Sequence, residues 1–170
     1  KDEFLAINKD ASQAMKNDLQ LNEDAKKILA RADKYRWIHQ SSWLGEPLLN
    51  LPQDMFAIQE IIWKTKPDYI VEVGVCWGGS ILFEAMLLDF IGGKKIVGID
   101  IFIPKDLRER LSSNKKLIDK IELIEGDSTS ESTIEKVKSI LNGSTNTLVI
   151  LDSHHTHQHV LNELEVYSPL

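Results

Sequence analysis

Asp68-Tyr69-Ile70-Val71-Glu72-Val73-Gly74-Val75-Cys76-Trp77-Gly78-Gly79-Ser80 is the stretch that decides the fold. Residues 69–75 form an apolar, β-branched run broken by one acid, Glu72. That is the composition of a strand buried on both faces of a parallel sheet. Gly74, Gly78, Gly79 and Ser80 then open an apolar segment of helical length, 81–90. A strand, a glycine-rich turn and a helix N-terminus together make a site for a nucleotide-like ligand. Glycine lets the backbone come close, and the N–H groups of the first helical turn point at the ligand.

Outward from this stretch the chain alternates strand and helix. Strands are expected at 69–75, 95–101, 121–125 and 147–152, and helices at 79–90, 105–117, 130–141 and 155–167. Ser128 with Glu131 reads as a capping box before the third of these helices, and Ser153 as the cap of the fourth. Four strands joined by helical crossovers imply a doubly wound, mostly parallel, Rossmann-like α/β sheet. The chain stops at Tyr167-Ser168-Pro169-Leu170, where such a domain would enter a fifth strand, so the C-terminal strands are expected to be missing or the sheet short.

On the N-terminal side, a helix is expected at 52–64, with Pro52 at its start and Met55, Ile58 and Ile62 inward. Residues 35–50 read as an aromatic loop, either a lid over the acceptor or a cover packed on the sheet. A further helix is expected to be capped by Asn22, with Ala25, Ile28, Leu29 and Ala32 as its apolar stripe. The expected division is a helical extension at 1–34 and a ligand-binding domain at 35–170, incomplete at its C-terminus.

The 170 residues are enough to bury roughly 70% of the unfolded surface as one domain. A net charge of −6 argues against a general nucleic-acid binder. No apolar run approaches the ~20 residues of a membrane-spanning helix, so no integral membrane association is expected. The N-terminus has no signal-peptide core and no initiator Met, as in a processed or cut chain. One cysteine, Cys76, builds no disulfide framework, which makes the cytoplasm the expected compartment.

The turn itself narrows the ligand. A dinucleotide cradle wants G-x-G-x-x-G with small residues throughout. Here Cys76 and Trp77 stand between Gly74 and Gly78. The register suits a smaller, cationic ligand whose amino acid end lies along the turn, with Glu72 supplying negative charge: S-adenosylmethionine. Asp100, at the end of the second strand, is placed for the ribose hydroxyls. Asp127 and Ser128 follow the third strand, within reach of the adenine edge, though Asp127 reads equally as a helix cap. Ser80 reads as a helix-start residue as much as a ligand contact. Asp152 ends the fourth strand, beside where the reacting methyl would lie.

Asp152-Ser153-His154-His155-Thr156-His157-Gln158-His159 carries most of the histidines. On a helix starting near His155, His155 and His159 would share a face at i, i+4, the spacing of a transition-metal pair. In the other reading Asp152 holds a hard divalent cation and His155 is a general base. His154 and His157 read as exposed.

In order along the chain stand Trp43-x-Gly45-x-Pro47, Pro52-x-Asp54, Gln59-Glu60-Ile61-Ile62-Trp63, Pro67-Asp68, Glu72-x-Gly74-x-x-x-Gly78-Gly79-Ser80, Gly98-Ile99-Asp100-Ile101, Glu125-Gly126-Asp127-Ser128 and Leu151-Asp152-Ser153-x-His155-Thr156. Together they resemble the cephalosporin hydroxylase / rhamnosyl O-methyltransferase family over about 35–170. The resemblance implies a class I methyltransferase fold, methyl transfer from S-adenosylmethionine to a hydroxyl, and a divalent cation, Mg²⁺. It implies that Glu72, Gly74 and Gly78 hold the methionine end, Asp100 the ribose, and Asp127 with Ser128 the adenine side; Gly79 and Ser80, in the same turn, are counted with the cofactor-binding residues. Asp152 would be a metal ligand, in a metal site that the family completes after its fifth strand. His154 stands where the family has a polar or acidic residue.

The expected activity is therefore a metal-assisted O-methyltransferase with Asp152 and His155 at the reacting centre. The expected partners are a small-molecule or glycan acceptor and, as an open alternative, a second copy of the chain. Two other readings remain open: an oxidative, hydroxylase-type enzyme, and a cofactor-binding fragment without catalysis.

Overall fold

The computed structural model describes residues 1–170. The chain resolves into two compact units, Lys1–Ile38 and His39–Leu170. The first is a pair of helices, α1 (Asp2–Asn17) and α2 (Leu19–Asp33), and neither buries a residue. The expected cap at Asn22 is corrected: the cap of α2 lies four residues earlier, where the Asp18 carboxylate accepts a hydrogen bond from the Leu21 N–H at 2.9 Å. An N-cap aspartate of this kind satisfies one of the orphan donors of the first turn.

The second unit opens with a hairpin that replaces the expected aromatic loop. Strand β1 (Ser41–Trp43) pairs antiparallel with β2 (Glu46–Leu48) through Leu44 and Gly45, both at positive φ. Helix α3 (Pro52–Thr65) follows, with Met55 and Ile62 buried as expected. Then come β3 (Tyr69–Val73), α4 (Gly79–Ile91), β4 (Lys95–Asp100), α5 (Lys105–Ser113), β5 (Ile121–Glu125), α6 (Glu131–Leu141), β6 (Thr147–Leu151) and α7 (His157–Tyr167).

The four later strands form one parallel sheet in the order β5-β4-β3-β6. The doubly wound arrangement expected from the sequence is therefore present, although strands 69–75, 95–101 and 147–152 each end one or two residues early. Alternation along the strands divides the core. Ile70 and Ile96 face Ile81, Leu88, Leu107 and Leu111 of α4 and α5. Tyr69, Val71, Val73, Val97 and Ile99 face Val137 and Leu141 of α6 and Tyr167 of α7. The winding reverses between β3 and β6, and ligands in open sheets bind outside the carboxyl ends at such a point.

Two caps and one helix differ from expectation. Helix α6 is capped by Ser130, whose hydroxyl accepts from the Thr133 N–H, and not by a Ser128–Glu131 box. Ser128 is buried, and its hydroxyl donates to Glu163 on α7 instead. Helix α7 starts at His157 after Thr156, so Ser153 does not cap it and His155 lies outside it. The stretch expected as helix 105–117 ends at Ser113 and gives way to a 3-10 turn at Ile118–Lys120.

Candidate cofactor and methyl-transfer site

The carboxyl edge at the β3–β6 switch is built by backbone first. The Asp152 N–H donates to the Val73 carbonyl at 2.8 Å, carrying the β3–β6 ladder up to Gly74. Gly74 has φ 104, and a Cβ there would sit inside the Asp152 carbonyl oxygen. Only glycine allows the two strand ends to meet this closely. Gly78, at φ 82, is the N-cap of α4 and offers no side chain to the first-turn N–H groups, which leaves them for a ligand.

The hairpin covers the same helix end. Gly79 has no room for a Cβ because the Pro47 carbonyl lies against it. Trp43 meets Phe83 of α4 edge to face, with ring centroids 5.0 Å apart. Arg110 of α5 grips Glu46 through Nε, at 3.1 and 3.0 Å to its two oxygens. The aromatic segment is thus packed on α4 beside the glycine turn.

Below the turn lie two carboxyl groups. Glu72 is 2% exposed, on the face of β3 that looks at α4, between Gly98 and Ile150 on the neighbouring strands. Burial pushes its carboxyl up to about 8, a hydrogen bond from Ser80 offsets part of this, and Asp152 adds to it. Glu84, one helical turn beyond Ser80 on α4, is 1% exposed. Its carboxyl is held well above the usual range by burial, then by the charges of Glu72 and Asp152. One oxygen of each, Oε2, has no hydrogen-bond partner. The negative charge expected of Glu72 is therefore largely neutralised by a proton at pH 7. Sequence reasoning missed Glu84. Its signal was there: the one acid inside the apolar run 81–88, at i+4 from Ser80.

Asp100 sits where expected but with its oxygens engaged. Oδ2 accepts from the Val75 and Cys76 N–H groups at 2.9 and 3.0 Å, and Oδ1 accepts from Phe102 N–H at 3.3 Å. It pins the glycine turn to the end of β4. A carboxylate has about four acceptor positions, so capacity for a hydroxyl remains. Asp127 caps its own turn, accepting from both the N–H and the hydroxyl of Thr129 at 2.8 and 2.7 Å. Those bonds hold its carboxyl below the usual range.

Asp152 and His155 are brought together, with His155 Nε2 3.3 Å from Asp152 Oδ1 and both side chains open to solvent. The i, i+4 metal pair is not formed, because His159 is on α7 and bonded to Glu163 at 2.9 Å. His154 lies against the His159 ring, with centroids 5.4 Å apart. No three His, Cys, Asp or Glu side chains are grouped to hold a metal ion. Asp152 alone gives a hard cation one half-exposed oxygen ligand set, short of the six or more oxygens such ions take.

A doubly wound parallel sheet with a glycine turn at its switch point and acids after successive strands defines a class I methyltransferase-type fold. Residues 35–170 match the family described as Rhamnosyl O-methyltransferase/CmcI, and the chain belongs to that family. It is 32% identical over 132 residues to the rhamnosyl O-methyltransferase of Mycobacterium leprae (strain TN), covering 76% of this chain and 55% of that protein. Among solved structures it is similar to the apo-structure of CmcI-N160, at 23% identity and a TM-score of 0.56, covering 74% of this chain and 51% of the other. It is also similar to CmcI-D160 with Mg and SAM, at 23% identity and a TM-score of 0.52, over the same shares. The chain spans about half the length of the curated relatives it matches.

Proposed function

We propose that this protein is an S-adenosylmethionine-dependent O-methyltransferase whose acceptor is a sugar or small-molecule hydroxyl. The observation that carries the reading is the meeting of Gly74 and Asp152 at the switch point, two residues along the chain from Glu72, whose buried Oε2 has no partner. The uncapped start of α4 suits the carboxylate of an amino acid, and Glu72 with Ser80 suits its ammonium. Asp100 and the loop at Asp127 and Ser128 bound the ribose and adenine sides. The family's rhamnosyl O-methyltransferases support a glycan acceptor. No helix is long and apolar enough to cross a membrane; with a lone unpaired thiol, cytoplasmic action is the accompanying proposal.

Bound S-adenosylmethionine supplies an electrophilic sulfonium methyl. A hydroxyl is a poor nucleophile until its proton is taken. His155 is the group within reach of Asp152 to take it, and Asp152 orients the ring and stabilises the imidazolium that results. Methyl transfer is an in-line displacement, so most of the rate comes from holding the two reactants in line. Asp152 would also be one ligand of a divalent cation, a role supported by the Mg-containing CmcI relative. The residues grouped in this chain do not complete such a centre, and no step is assigned to it.

Calorimetric titration with S-adenosylmethionine tests the reading. Saturable binding is expected, and Asp100→Ala should abolish it by releasing both the turn and the ribose. Absence of heat at millimolar ligand would sink the proposal.

A further inference from the structure

His159, Glu163 and Tyr167 are spaced i, i+4 and i+8 on α7 and so share one face of the helix. All three reach away from their own helix to the loops at the carboxyl edge. One oxygen of Glu163, Oε1, accepts the Ser128 hydroxyl at 2.6 Å, the Ser153 hydroxyl at 2.6 Å and the His159 ring at 2.9 Å. The Tyr167 hydroxyl donates to the Ser128 carbonyl at 2.7 Å. Glu163 is 0% exposed, and its second oxygen has no partner. All of its bonding therefore converges on a single atom.

Ser128 belongs to the loop after β5 and Ser153 to the loop after β6. The first adjoins Asp127 and the second Asp152. Two loops from strands that are not neighbours in the sheet are thus tied to one buried oxygen. We propose that Glu163 is a positioning residue that sets the spacing between the adenine-side loop and the Asp152–His155 loop. The proposal rests on the cofactor reading above for the roles of those loops, while the tie itself is independent of it.

The chemistry of the tie makes it separable from mere packing. Glutamine can leave a carbonyl oxygen where Oε1 stands and accept two of the three donors, whereas leucine accepts none. In the intact protein, Glu163→Leu is expected to raise amide exchange in both 126–130 and 152–156, with the sheet amides unchanged. It should weaken S-adenosylmethionine about tenfold or more in calorimetry, the size of a lost hydrogen bond to a charged acceptor. Glu163→Gln should return affinity to within about threefold, even if it melts lower. A packing role alone would lower melting in both variants without that rescue.

Should Glu163→Leu not fold, Ser153→Ala carries the same test. Removing that hydroxyl must raise exchange at 126–130, in a loop that carries no substitution. The tie is overturned if exchange rises in one loop only, or if Glu163→Leu binds the cofactor as the parent does. If the parent does not bind S-adenosylmethionine, the functional reading fails, and the exchange arm, which uses no cofactor, still decides the tie.

Discussion

At Glu72 and Glu84 two buried carboxyls face each other's charge with one oxygen apiece unpartnered. At Glu163, on the opposite face of the sheet, a single oxygen collects three donors. Both places are shut off from water, and both carry acids in a protein interior that normally rejects them. The difference lies in who supplies the compensation. Around Glu163 the chain supplies three donors to one oxygen, leaving only the other without a partner, and the acid ties two loops together. Around Glu72 the chain supplies a hydrogen bond from Ser80 and leaves Oε2 bare, which on the proposed reading suits the acid to a cation from outside. A buried acid with few donors beside a glycine turn is therefore a better candidate for a binding site than one whose oxygen collects three.

The widest break in this contrast is expected from Gly74→Ala. The added methyl would strike the Asp152 carbonyl and force a positive φ on alanine, so about 3 kcal/mol or more of stability should go, together with cofactor binding. Chemical denaturation read beside calorimetry measures both losses. Next is Glu163→Leu, which strands three donors and should lower unfolding stability by about 3 kcal/mol. Equal stability of that variant and the parent would erase the distinction between the two acids.

Glu72 should behave with the opposite sign. Its ordinary pKa is 4.5 and its folded one about 8, so between those values the unfolded chain has lost a proton that the folded chain keeps. Stability of the ligand-free protein should then fall as pH rises across this window, at most about 1.4 kcal/mol per unit for one group, and level off above it. Glu72→Gln should flatten the slope, stabilise the empty protein near pH 7.5 and weaken the cofactor. A melting series from pH 5 to 8.5 reads the slope; one that rises with pH in the parent would contradict the assignment. The smallest effect belongs to neither region: Ser130→Ala removes the cap of α6 and should cost about 1 kcal/mol, leaving cofactor affinity alone.

The sheet was legible in the sequence because buried parallel strands write themselves as β-branched runs and their turns as glycine. Gly74, Asp100 and Asp152 fall at strand ends, and Gly78 at the start of α4, for the same reason. The hairpin was not legible. Its strands have three residues each, one holds Pro47, and its turn places Leu44 at φ 51, where Asn-Gly is the usual signal. Helix α7 was placed two residues early because Ser153 reads as a cap while its hydroxyl is taken by Glu163, a long-range bond that no local pattern records. The same is true of Ser128. Asp18 was overlooked in favour of Asn22 because both are good cap residues four positions apart.

Cys76 is the protein's one cysteine and stands exposed at φ 48 in the middle of the glycine turn. Partial burial, then the nearby charges of Asp100 and Asp152, push its thiol up, with a backbone hydrogen bond at Trp77 offsetting part of this. It should thus alkylate slowly, since the thiolate is the reacting form. Slow labelling at a single address is a convenient meter. A maleimide or iodoacetamide time course reports the state of the turn without a competing site, and any molecule that settles over Gly74–Gly78 should slow it further.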